Sequence, residues 1–199
     1  MDLLQIQSSL IKNKSQEVAT TISNNLSNKQ FLNIIEKRIR KHLRSKDILK
    51  KDQTIYVIDE LTHFFLKRIV TLPVNIVQLS KKEFNIKEYN YNLFSNKKIK
   101  TFRKKMKKDE LLFLPLLLDD YCALFLHTHF TNKQLKKQEL YSLFETITYE
   151  EIKVIVDKFK IKIPFNRKDN LYSFLDNLET KFHGTKHALY NSLQFYNRN

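Results

Sequence analysis

The chain has 199 residues, 42% of them hydrophobic, enough for one ordinary domain or a domain with a small appendage around a packed core, and disorder throughout is ruled out. Its formal net charge of +15, from 36 Lys and Arg against 21 Asp and Glu, suits a polyanionic partner such as RNA better than an acidic protein surface, although a composition rich in Lys, Asn and Ile also follows from AT-biased coding and aids solubility. Cys122 is the only cysteine, which leaves no disulfide framework and no structural zinc site of paired thiols.

Asp119 and Asp120 split the longest apolar run, so no stretch reaches the roughly 18 uninterrupted apolar residues of a membrane-spanning helix. The amino terminus lacks a basic region followed by an apolar segment, and the expectation is a cytoplasmic protein with no membrane association. From Asp2 to about Leu43 the apolar residues Leu3, Ile6, Leu10 and then Leu32, Ile35, Ile39, Leu43 recur at helical intervals, with a break expected at Asn24 and Asn25. The cations Lys37, Arg38, Arg40, Lys41 and Arg44 then read as the solvated face of the second helix.

From Thr54 the pattern changes. TIYVID is a β-branched and aromatic run, ELTHFFLKRIV has helical spacing, and LPVNIVQL is strand-like again after its proline. Such strand, helix, strand units build a parallel sheet whose ligands gather at the carboxyl ends of the strands, which places Asp59 and Glu60 at that edge. Helix capping and first-turn charge complementation account for the same two residues.

The segment NKKIKTFRKKMKKDE concentrates Lys97, Lys98, Lys100, Arg103, Lys104, Lys105, Lys107 and Lys108, with Phe102 and Met106 four apart to hold a helix down. Clustered cations of this kind neutralise several phosphates without base selectivity; a solvated helix face is the other reading. LLFLPLLL is predicted as a fully buried strand and DDYCALFLHTHF as a helix whose first turn carries Asp119 and Asp120. Two adjacent carboxylates suffer desolvation and mutual repulsion, so they are expected near solvent at the helix amino end, facing the ligand edge, with pure capping as the alternative. Cys122, beside two anions, reads as a buried free thiol. His127 and His129 do not share a helix face, and His183 and His187 flank Gly184 as exposed residues.

LLFLPLLLDDYCALFLHTHF resembles the strand, Gly-His-x-Leu-Asp-Asp and Ala-containing helix of the PP-loop ATPases that modify tRNA, in the branch that 2-thiolates tRNA and the related lysidine synthetases. Leu118, Asp119, Asp120, Ala123 and Leu126 carry the match. ITYEEIKVIVDKFKIKIPF is similar to the family's Leu-Thr-Glu-Glu-Glu-Ile helix and following strand, and FLDNLETKFHGTKHALYNSL to its Leu-Glu-x-Lys-Phe-Pro-Gly-Thr-Lys helix pair. Gly184, the sole glycine, stands at that pair's turn. The resemblance implies an α/β fold with a parallel-sheet PP-loop (adenine nucleotide alpha hydrolase-like) domain over residues 51–199, preceded by a helical region over 1–50.

The same resemblance implies tRNA, a catalytic PP-loop partner subunit, or both as partners. Lys181 and Lys186 of the carboxy-terminal helices then join the Lys97 to Lys108 segment against phosphates. The family's Ser-Gly-Gly-x-Asp-Ser turn, whose amides cradle the pyrophosphate of ATP, is replaced by IDELTHFF, in which only Asp59 and Thr62 are reminiscent. The paired cysteines and the zinc modules of the thiolating branch are missing as well, so neither zinc nor an iron-sulfur cluster is expected. The expected function is therefore that of a degenerate relative that binds tRNA or a catalytic partner. The alternatives are an active ATP-dependent tRNA-modifying enzyme using Asp119 and Asp120 for magnesium, and a structural scaffold subunit.

Overall fold

β-Branched and aromatic side chains form strand β1 (Thr54–Val57), which is the centre of a three-stranded parallel sheet in the computed structural model of the chain. The structure describes residues 27–131 and 140–196; the expected first helix, with Leu3, Ile6 and Leu10, and the break at Asn24 and Asn25 lie outside them. Strand β2 (Asn75–Gln78) pairs in register from Thr54↔Asn75 to Val57↔Gln78, and β3 (Glu110–Phe113) from Thr54↔Glu110 to Val57↔Phe113, giving the order β2-β1-β3. Seven α-helices surround the sheet among the described residues: α1 (Asn28–Ser45), α2 (Glu60–Ile69), α3 (Lys97–Lys105), α4 (Leu118–Phe130), α5 (Tyr149–Phe159), α6 (Asn170–Lys181) and α7 (Thr185–Tyr196). A 3-10 turn spans Tyr91–Ser95.

The two crossovers run in opposite directions across the sheet, from β1 to β2 and back past β1 to β3. Right-handed connections then place α2 and α3 on opposite faces. The side chains follow. Ile55, Val57, Leu111 and Phe113 share one apolar cluster with Phe65, Leu66 and Ile69 of α2, whereas Leu112 shares the other with Ile99 of α3, and Tyr56 packs against it. The order reverses between β1 and β3, and the crevice at the carboxyl ends of these two strands is where ligands bind in sheets of this kind.

Helix α1 begins with a capping box, Ser27 accepting from the Gln30 amide at 3.3 Å and donating its own amide to Gln30 Oε1 at 2.8 Å. Its Phe31, Leu32, Ile35, Ile39 and Leu43 are buried in the α2 side of the core, each worth about 1.5–3 kcal/mol relative to exposure, more than surface ion pairs supply. Of its cations, Lys37, Lys41 and Arg44 are exposed, Arg38 pairs with Glu151 and the Thr146 carbonyl, and Arg40 joins Glu36 at 3.1 Å. Lys46 and Tyr190 both bond the buried carboxylate of Glu145, with His42 Nε2 at 3.6 Å, and this links α1 to α7.

The structure departs from the sequence expectation at two strands. The apolar run after Glu110 is β-strand only to Phe113, because Pro115 has no amide to donate; residues 140–147 then lie parallel beside it through the bridges Phe113↔Tyr141 and Leu117↔Phe144. The strand expected after α5 does not form: Phe165 makes a single parallel bridge with Tyr89. Helices α6 and α7 meet at Gly184, whose φ of 86° lies in the left-handed region that favours glycine.

Candidate functional site at the carboxyl edge of the sheet

Between β1 and α2 the chain turns through only two residues, Ile58 and Asp59. Asp59 is the N-cap of α2 and accepts from the Thr62 amide at 2.7 Å. Tyr89 covers this turn, donating its hydroxyl to the Ile58 carbonyl at 3.0 Å, and is itself held by the Phe165 bridge and by ring contact with Phe165 at 6.4 Å. Asp59, Thr62 and Tyr89 are all buried, and neither Asp59 Oδ2 nor Thr62 Oγ1 has a hydrogen-bond partner among the described residues. Burial pushes the Asp59 carboxyl up to about 6, against the Thr62 and Leu61 amides that favour its charge.

These residues do not fit the pyrophosphate of a nucleotide. An anion at a helix amino terminus needs free amides and close backbone approach, whereas here a carboxylate of the chain takes the Thr62 amide and no glycine opens the turn.

The two adjacent aspartates are a correction to the sequence expectation: Asp119 is 0% and Asp120 4% exposed. The amino end of α4 is roofed by the start of α5, by Arg167 and by the α6–α7 pair, so the pair faces protein rather than solvent. Asp120 accepts from the Leu117 amide at 2.8 Å, as in a capping box, and from the Tyr172 hydroxyl at 2.5 Å. Asp119 receives the Lys186 ammonium at 2.6 Å, Arg167 Nη1 at 2.9 Å and the Tyr149 amide at 2.8 Å. Arg167 Nη2 also bonds both oxygens of Asp176, at 2.9 and 2.8 Å, and its guanidinium lies 4.5 Å from the Tyr149 ring centre and 4.8 Å from that of Tyr172.

Burial drives both aspartates upward, but the outcomes diverge. Lys186 and Arg167 outweigh burial at Asp119 and hold its carboxyl far below the usual range, while Asp120, with only neutral donors close by and Asp119 as a neighbour, is pushed up to about 6. Burial disfavours the charge on Lys186 and Arg167, yet Asp119 reverses that and keeps both cationic.

Asp119, Glu150 and Asp176 each offer a carboxylate oxygen, all within 4.8 Å of one another, a spacing compatible with a divalent cation. The ammonium of Lys186 stands among them, 2.6 Å from Asp119, 2.7 Å from Asp176 and 3.9 Å from Glu150. With that cation in place and Arg167 beside it, the set does not fit magnesium. The chemistry it supports is internal charge neutralisation.

Among the expected RNA-facing cations, Lys97, Lys98, Lys100, Lys104, Lys105, Lys107, Lys108 and Lys181 are exposed, and Arg103 is half-buried. Lys186 is a second correction: it is 3% exposed and committed to Asp119 and Asp176. Phe102 anchors α3 edge-on against Tyr56 and Phe84, at 5.4 Å each. Cys122 is buried, its thiol donating to the Lys186 carbonyl at 3.1 Å and pushed up by burial and by Asp119; a lone thiol so placed does not fit an iron-sulfur cluster. His127 packs on Tyr91 and His129 on Phe125, whereas His183 and His187 are exposed. Sequence reasoning missed Tyr89, Arg167, Asp176 and Tyr172. Tyr89 alternates with Tyr91 and Leu93, and Tyr172 and Asp176 stand four apart on α6, whose N-cap is Asp169, but none of these spacings names a distant partner.

No protein-family model matches the chain, and no curated protein matches it in sequence. In three dimensions it is similar to the U34-tRNA thiolase NcsA from Methanococcus maripaludis, solved with its 4Fe-4S cluster. The TM-score is 0.60 at 13% sequence identity, over 88% of this chain and 82% of that one. The likeness shows the fold: a mixed α/β domain with a small parallel sheet, of the PP-loop-like kind. No helix among the described residues is long and apolar enough to cross a membrane.

Proposed function

We propose that the chain is a catalytically degenerate PP-loop protein that serves tRNA modification of the 2-thiolation type by binding tRNA, a catalytic partner, or both. The observation that carries this reading is the short β1–α2 turn at the carboxyl edge of the sheet, capped from within the chain. Asp59 occupies the α2 amide that a phosphate would need, and Tyr89 closes over the Ile58 carbonyl. The buried single cysteine and the ion-paired Asp119 support it from the sulfur and metal sides. The likeness to a U34-tRNA thiolase supplies tRNA as the substrate class, and the exposed lysines of α3 and of the turn after it supply a surface for its phosphates.

Two measurements test it. Purified protein incubated with ATP, labelled pyrophosphate and tRNA is expected to show no exchange; exchange above background would overturn the degenerate assignment. Crosslinking in the native cell followed by sequencing is expected to enrich tRNAs of one anticodon class, and recovery of background RNA alone would replace RNA binding with a scaffold role.

A further inference from the structure

The turn over residues 80–86 is fastened along one edge of α3. Phe84 is buried with its ring 5.4 Å from that of Phe102, Asn96 Nδ2 donates to the Phe84 carbonyl at 3.2 Å, and the Lys98 ammonium donates to the Glu83 carbonyl at 3.1 Å. Lys98, Phe102 and Lys105 lie four and three residues apart, so the edge that holds the turn also carries Lys105. The turn itself is tightly bonded. The Ile86 amide meets the Lys81 carbonyl at 3.0 Å, the Asn85 amide meets the Lys82 carbonyl at 3.1 Å, and Asn85 takes a left-handed φ of 54°.

Lys81 and Lys82 are therefore displayed, exposed, from a backbone that is already ordered, beside the cations of α3. Of the neighbouring carboxylates, Glu110 is half-buried and accepts from the Lys107 amide at 2.8 Å and the Tyr56 hydroxyl at 3.2 Å, while Glu83, Glu88 and Asp109 are exposed and fewer than the lysines around them.

We infer that the 80–86 turn and α3 form one continuous phosphate-binding surface for RNA, with Lys81 and Lys82 as its second row of cations; the inference rests on the tRNA-binding reading and assigns it a boundary. An ordered backbone lowers the entropy lost when a polyanion docks. A lipid surface fits less well. The apolar side chains of α3, Ile99 and Phe102, are turned into the core, and none of the exposed large hydrophobic residues falls between positions 80 and 108, so nothing is offered to an acyl layer.

The test is fluorescence anisotropy of unfractionated tRNA against the full chain across a KCl series, for the wild type, Lys81→Gln/Lys82→Gln and Lys104→Gln/Lys105→Gln. Thermal unfolding of each variant controls for folding. Each double variant is expected to bind several-fold more weakly at low salt and to flatten the log–log salt slope by about 1–2. If the turn variant keeps the wild-type slope while the α3 variant loses it, the continuous surface is wrong and the tRNA-binding reading stands. If the wild type binds no tRNA, both fall, and binding to phosphatidylserine vesicles in its place would assign the surface to membranes.

Discussion

Lys186 meets α4 twice: its ammonium lies 2.6 Å from Asp119 Oδ1 and its carbonyl accepts the Cys122 thiol at 3.1 Å. Asp119 and Cys122 are three apart, on one face of α4, so a single residue at the start of α7 satisfies a buried charge and a buried thiol in successive turns. Removing one partner of a buried pair leaves an uncompensated charge, which costs more than the pair contributes. Lys186→Met is expected to destabilise the protein by about 3–5 kcal/mol in urea unfolding, and Lys186→Met/Asp119→Leu by markedly less. A single variant within about 0.5 kcal/mol of wild type would mean that Arg167 alone neutralises Asp119.

Stability should depend on pH with two opposite signs. Asp59 and Asp120, each raised from 3.8 to about 6 by burial, bind protons more readily in the folded state, so their contribution is complete below about pH 4 and is lost as pH rises through about 6. Glu145 runs the other way. Burial would raise it, but His42 and Lys46 outweigh burial and hold it at about 2, so its contribution is present above 4.5 and lost as pH falls toward 2.

Asp59→Asn isolates the first sign, because Asn caps a helix as well as Asp does but carries no buried charge. The variant is expected to gain about 1–3 kcal/mol at about pH 8 and to match the wild type at about pH 4, read from urea midpoints. Lower stability at both values would show that the Asp59 charge has a partner that the cap geometry does not account for.

Cys122 should be inert to aromatic disulfide reagents in the folded protein at about pH 8, because only an exposed thiolate attacks and this thiol is buried and raised. Labelling is expected to track global unfolding as urea is added. Rapid stoichiometric labelling without denaturant would reopen a role for the thiol in sulfur chemistry.

Gly184→Ala should cost about 1 kcal/mol, since φ of 86° penalises any side chain while no atom lies within 4 Å of the added carbon. A much larger loss of thermal stability would reveal that the turn tightens beyond what its geometry requires.

Local chemistry was legible in the sequence wherever a short-range rule governs it. The β-branched run at Thr54–Val57, the Asp59 cap, the helical spacing of α2 and the lone glycine between α6 and α7 are such cases. What escaped the sequence depends on distant partners. Asp119 and Asp120 read as solvent-facing because the cations and hydroxyl that neutralise them, Arg167, Tyr172 and Lys186, lie far along the chain. Lys186 read as a phosphate contact for the same reason. Tyr89 alternates with Tyr91 and Leu93 in a segment of buried apolar and aromatic side chains, but its closure over Ile58 is visible only in the fold.

The reach from Asp119 to Lys186 also sets an order of events during synthesis. Strand β3 and α4 emerge with a carboxylate destined for the interior and nothing to neutralise it, and its two cationic partners arrive only later, Arg167 first and Lys186 after it. Until then α4 shows its apolar flank to the cell, so the late-made helices α6 and α7 act as the clasp that ends the vulnerable phase of this chain's life.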